Sequence, residues 1–327
     1  MILEKIAFLV GVIGLPMGAG YALRRRLLAA DPGRAVACGV WSRHLKLLCM
    51  CFVGPPVIAS SMIRRPLTGP NVMTMAILGV LCLVIGAVVS RAYVAARRLP
   101  DPQAGALMAA TSMPNLVSFG GLFVFAFWGT DGLQQMYLFL LLEHVIFYCI
   151  FYPWFGTYGP RPPEGSLLGR LRIHPVTMMP LFASLFGLAC NVVLFEVHGA
   201  DGPPAWTQRF NALCVPLMVA VMSFAVGLVM RPSRVAHYRE ACVFVSVTGF
   251  LVRPSIMLLT ALACAAAGWI DDLAVRVAVL LSAMPVAFNA LIAAGIYELD
   301  VDLVNSCWIV TSVLTVPVVV LLYVLLV

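Results

Sequence analysis

Two short polar interruptions hold the residues best placed for chemistry. Thr111-Ser112-Met113-Pro114-Asn115 and Ser282-Ala283-Met284-Pro285 each fall in the middle of a long apolar stretch, one in each half of the chain. Proline lacks a backbone N–H and frees the carbonyl of the turn before it, so each interruption leaves polar backbone to be satisfied. In hydrocarbon such groups must face protein or a water-filled cavity. The amides that open the second half of a broken helix carry partial positive charge and suit the carboxylate of an organic anion near the bilayer midplane. Pro114 and Pro285 therefore create the expected substrate site. Asn115 and Asn289 add side-chain amides that donate and accept, and Ser112, Ser118 and Ser282 add hydroxyls. The plainer alternative is that Asn115 satisfies carbonyls freed by Pro114 and that the serines bond their own helix.

Three ionisable residues also fall deep in apolar segments. Glu143 and His144 lie near the middle of one, at a depth where a charge costs at least ~2.5 kcal/mol and is usually paired or functional. Desolvation disfavours the charged form of both, which makes them candidates for proton coupling or for lining the substrate path. The alternative for Glu143 is a neutral acid bonded to a neighbouring helix, and for His144 a packing role. Arg253, followed by Pro254, is always charged and needs a partner. Glu143 is one candidate and an anionic substrate another. Snorkelling, or holding carbonyls freed by Pro254, is the structural alternative.

These residues need a membrane to hold them. Hydrophobic residues make up 62% of the 327 and charged residues 11%, against about 25% charged in a soluble domain. The net charge of +7 comes from arginines in short connections, which act as topology determinants and not as a nucleic-acid face. A span takes roughly 20 apolar residues, and ten are expected, at 2–23, 42–63, 72–93, 103–128, 133–154, 175–197, 206–230, 241–268, 273–297 and 303–327. The first has its basic cluster, Arg24-Arg25-Arg26, at the far end, the wrong polarity for a cleaved signal, and is expected to be retained. Arginine is concentrated after spans 1, 3, 5 and 7, whereas Glu298, Asp300 and Asp302 make the connection between spans 9 and 10 acidic. The positive-inside rule then places both termini outside the cytoplasm.

The polar stretch 156–174 is expected to be a cytoplasmic linker between two sets of five spans, 1–155 and 175–327. An odd number per set forces the second to enter from the opposite side, an inverted repeat. Pro16 with Pro180, Pro55-Pro56 with Pro216, and Ser112-Met113-Pro114 with Ala283-Met284-Pro285 fall at matching spans. The ten cysteines include no C-x-x-C pair and are read as packing residues. His44, His174, His198 and His237 have no metal-ligand spacing, and no P-loop, dinucleotide fingerprint or G-x-S-x-G motif is present. No metal or cofactor is expected, and energy must come from ion or solute gradients.

At the interruptions the chain resembles the auxin efflux carrier family of permeases, which has bacterial members. Pro114-Asn115 with Gly120 resembles its P-N-x-x-x-x-G crossover. Ala283-Met284-Pro285-Val286-Ala287-Phe288-Asn289, then Tyr297 and Asp300, resembles its A-M-P…N…Y-x-x-D stretch, and Ser306, Thr311 and Pro317 fit its last helix. Leu122 departs from the family, which often has a second proline there. The resemblance implies an all-α, ten-helix fold of the bile-acid/sodium symporter type. Broken helices 4 and 9 would cross, helices 1, 2, 6 and 7 would form a scaffold, and helices 3–5 and 8–10 a transport domain that moves elevator-fashion. The function expected is secondary transport of small organic anions, with carboxylates foremost, across the cell inner membrane. Such a carrier binds no nucleic acid and would admit a homodimer. No acidic residue flanks either break, so proton coupling through Glu143, or uniport, is favoured over sodium. The rival readings are a channel, a sensor and an intramembrane enzyme. The last would need clustered polar residues at helix depth, and only Glu143 and His144 come near.

Overall fold

The computed structural model describes residues 10–67, 69–160, 175–197, 202–230 and 235–326. The start of the first expected span, most of the 156–174 stretch, and Arg161, Arg170, Arg172, His174, His198, Arg231 and Arg234 lie outside the described residues. Among the described residues the chain is helical, without strands. The helices are α1 (Leu15–Ala30), α2 (Ala35–Met62), α3 (Gly69–Arg97), α4 (Asp101–Ser112), α5 (Gly121–Phe139), α6 (143–156), α7 (Pro175–Val192), α8 (Ala205–Gly227), α9 (Arg239–Ala266), α10 (Asp272–Ser282), α11 (Phe288–Ile296) and α12 (Val301–Leu326). Seven helical stretches among the described residues are long and apolar enough to cross a bilayer. Phe52, Phe186, Leu213, Leu259 and Val313 stand 66–74% exposed on their outer faces, a surface suited to lipid and not to water. The chain is a multi-pass, all-α membrane protein.

Proline and glycine set the interruptions. A residue before proline is pushed out of the helical region, and α4 ends with Met113 at φ −114°, ψ 83° ahead of Pro114. In the second half, α10 stops at Ser282 and α11 begins after an extended Ala287 at ψ 151°. With 12 and 11 residues, α4 and α10 rise roughly 18 and 16 Å, about half of a ~30 Å hydrocarbon core. Four other prolines follow a wide π turn. Val10–Gly14 precedes Pro16, Cys49–Val53 precedes Pro55, Ile146–Phe151 precedes Pro153 and Thr248–Val252 precedes Pro254. The extra residue relieves the clash between the proline ring and the carbonyl four positions back. Pro180 and Pro216, placed opposite Pro16 and Pro55-Pro56 in the sequence comparison, instead lie inside α-helix.

The run Leu116–Gly156 is not one rod. Gly129 takes φ +62°, ψ −145°, a region open to glycine. A Cβ placed on Gly132 would lie 3.2 Å from the carbonyl oxygen of Val124, where a continuous helix from 124 to 132 would rise roughly 12 Å. The chain doubles back there, between the spans expected at 103–128 and 133–154. It breaks again at Leu140–Leu142, where Glu143 N donates to Leu140 O at 3.0 Å. At the other end of the chain, α1 runs through Arg24-Arg25-Arg26, which had been expected in a connection. Arg24 is buried and donates to the carbonyl of Met230.

The helices sort into two compact units. Unit 1 holds α1, α2, residues 117–137, most of α7, and α8; unit 2 holds α3, α4, α6 and α9–α12. In unit 1 the end of α2 is capped by two amides. Gln134 Nε2 and Asn191 Nδ2 each donate to the carbonyls of Met62 and Arg65, at 2.7–2.8 Å. Arg64 pairs with Asp131 at 2.7 Å. The closest helix contact in this unit is glycine-made. A Cβ on Gly20 would meet Phe224 O at 2.3 Å, and one on Gly227 would meet Met17 O at 2.1 Å. Small residues let membrane helices approach this way. Gly227→Ala is therefore expected to lower stability by about 1–3 kcal/mol, the usual cost of overpacking. Thermal unfolding in detergent checks it, and an unchanged midpoint would mean that α1 and α8 do not rely on this contact.

Candidate functional site at the helix crossing

The two interruptions meet within unit 2. Pro114 and Val286 form an isolated antiparallel bridge. Asn115 N donates to Pro285 O at 2.7 Å and Ala287 N to Met113 O at 2.7 Å. Pro114 occupies a bridge position that donates nothing, so its missing N–H is harmless. The neighbouring amides are also placed. Val286 N donates to Thr311 Oγ1 on α12 at 3.2 Å, Leu116 N to Pro114 O at 3.0 Å, and Ala283 N and Met284 N reach back to Leu280 and Leu281 at 3.1 and 3.2 Å. A break in hydrocarbon survives only when its backbone groups find partners in this way. The amides flanking the prolines thus hold the crossing together.

The carbonyl ends are met by one side chain. Arg253, 2% exposed on α9, donates through Nη2 to the carbonyl of Thr111 and through Nη1 to that of Ser282 at 3.5 Å. Thr111 and Ser282 belong to the last turns of α4 and α10. A helix C-terminus carries roughly −0.5 charge, so two such ends balance one guanidinium. Glu143 was one of the candidate partners, beside an anionic substrate and carbonyls freed by Pro254, yet among the described residues Arg253 makes no ion pair. Its Nε is buried without a hydrogen-bond partner. Helix α9 can present Arg253 here because the π turn Thr248–Val252 ends just before it and Pro254 follows.

Beside the guanidinium lies a narrow, partly open crevice with room for about one water molecule, lined by Ala110, Pro114, Gly249, Pro285 and Val286 among others. Pockets that enclose a drug-sized ligand run to ~300–1,000 Å³, so in this conformation the crevice marks a polar opening at the crossing and encloses no organic solute. Arg253 is the charged residue of its lining, and no carboxylate is part of it.

The other residues singled out from sequence fall as follows. Asn115 is buried beside the bridge. Ser112 Oγ is buried without a hydrogen-bond partner, whereas Ser282 Oγ donates to Val279 O at 2.7 Å within its own helix. Asn289 is half-buried on the first turn of α11, and its carbonyl accepts from Tyr152 Oη at 3.1 Å. Ser118 lies on the π turn Leu116–Gly120, in unit 1. Glu143 and His144 open α6, 5% and 8% exposed, with His144 Nδ1 at 3.7 Å from Glu143 Oε2. Asp300 caps α12 by accepting from Leu303 N at 3.0 Å, and accepts from Tyr238 Oη at 2.9 and 3.0 Å. Thr311, singled out from sequence only by a resemblance in the last helix, supplies a hydroxyl to the crossing. Its period and residue type alone gave no sign of that use. Among the described residues no three His, Cys, Asp or Glu side chains gather as a metal site.

Two substitutions test this geometry. Hydrogen bonds to a charged group are worth ~1.5–3 kcal/mol each, so Arg253→Met should destabilise strongly by stranding both carbonyls. Arg253→Lys keeps the charge but not the fork, and should fall between the two in thermal melts. Equal melting of all three proteins would remove the guanidinium from its structural role. Thr311→Val should cost about 1–3 kcal/mol through the stranded Val286 amide, with Thr311→Ser largely restoring the midpoint. No protein-family model matches the chain, and a comparison with curated proteins finds no match.

Proposed function

We propose that this protein is a secondary transporter of small organic anions, carboxylates foremost, of the auxin efflux carrier type that its interruption motifs resemble. The observation that carries the reading is the antiparallel bridge between two half-membrane helices, with a buried arginine at their carbonyl ends. Helices broken at the midplane are the recurring way in which carriers place polar backbone where a solute can be held. A crevice with a cationic residue and no carboxylate in its lining favours an anion over a cation. The ten-span inverted repeat, the inner-membrane location and elevator-type alternating access, with the crossing carried by unit 2, belong to the same proposal.

Reconstituted protein is expected to give saturable uptake of labelled mono- or dicarboxylates into proteoliposomes. Asn115→Ala, beside the bridge, should reduce it severalfold. Uptake equal to that of the parent would take Asn115 out of the site, and a parent inert toward all carboxylates would overturn the substrate class.

A further inference from the structure

The ionisable groups that the crossing does not use form a row of their own in unit 2. Glu143 opens α6, and its Oε2 is buried without a hydrogen-bond partner. Its nearest cationic candidate among the described residues is His144, at 3.7 Å. Arg253 is already committed to Thr111 and Ser282. A carboxylate in such a place is costly, whereas the neutral acid is tolerated.

His144, Tyr148 and Tyr152 recur at one-turn spacing, so they share one face of α6 and climb it by roughly 12 Å. Ring centroids are 6.2 Å apart for His144 and Tyr148, and 5.1 Å for Tyr148 and Tyr152. The Tyr152 hydroxyl donates to Asn289 O at 3.1 Å, and its ring meets that of Tyr297 at 6.3 Å. Tyr297 ends α11 and is half-exposed beside the exposed Glu298. Tyrosine hydroxyls and a neutral imidazole can each donate and accept a hydrogen bond. From the neighbouring helices, Cys82 on α3 and Arg253 on α9 share the electrostatic surroundings of Glu143.

We infer that Glu143 is the binding site of a coupling proton, reached from the surface by way of Tyr297, Tyr152, Tyr148 and His144. The coupling part of this inference rests on the proposed transport of an anion; proton binding does not. The balance is simple. A proton from bulk water adds to the Glu143 carboxylate to give a neutral acid and returns to bulk on the other side. An incoming carboxylate beside Arg253 and an ionised Glu143 would be two negative charges in one low-dielectric region. Protonation of Glu143 removes a like charge there, so anion and proton bind with mutual preference.

The test needs no known substrate for its first arm. Infrared difference spectra of the purified protein in lipid vesicles, recorded as pH is raised, should show the loss of a protonated-carboxyl C=O band. Glu143→Gln should lack that band and Glu143→Asp should move it. Tyr152→Phe should slow its exchange into deuterated buffer. A parent without the band, or a Glu143→Gln protein that keeps it, overturns the inference. In the second arm, carboxylate exchange at equal pH on both sides reports transport alone. Accumulation driven by a pH gradient reports coupling. Exchange without pH-driven accumulation in the parent overturns the coupling while sparing the transport reading. Absent exchange sinks the transport reading and with it the coupling, while the infrared arm still decides the proton site.

Discussion

The guanidinium of Arg253 is the point on which the rest of unit 2 depends. An isolated full charge at this burial would be untenable in a membrane. It is stable here because two helices end against it, each offering a carbonyl and part of a dipole. The reverse also holds. Without a cation, Thr111 O and Ser282 O would lose the donor that meets them in the interior of unit 2. Charge and broken backbone solve each other's problem, and the bridge at Pro114 and Val286 then has two fixed ends to join.

Much of this was legible in the sequence, and the part that was not has a clear physical origin. Pro114 and Pro285 announced the breaks because proline acts locally, through its own ring and missing donor. Arg253 announced itself as a lone charge at depth. Its partner did not, because sequence reasoning compares whole charges and so turned to Glu143. Half-charges at helix ends exist only once α4 and α10 have stopped side by side. Thr311 was hidden for a similar reason, since one hydroxyl among apolar residues carries no sign of the amide it will meet. The fold-back at Gly129 fell in the gap between two expected spans. The turn at Leu140–Leu142 contains neither glycine nor proline, so no local rule could have placed it.

Proline use shows the same division between local and tertiary control. Where a π turn precedes proline, the helix has widened to make room for the ring. At Pro180, Pro216 and Pro317 the ring lies within α-helix. Matching prolines in the two halves therefore do not impose matching local shapes. At the crossing itself the two halves do correspond, since the bridge of Pro114 with Val286 sits next to the pairing of Asn115 with Pro285.

A mechanical consequence follows from the bridge itself. Its two rungs and the arginine fork are buried, and each polar group left unsatisfied by burial costs about 1–3 kcal/mol. Sliding α4 past α10 and α11, or withdrawing α9, would shear several of these bonds at once. The four helices are riveted. Any motion of unit 2 has to carry them as a single block.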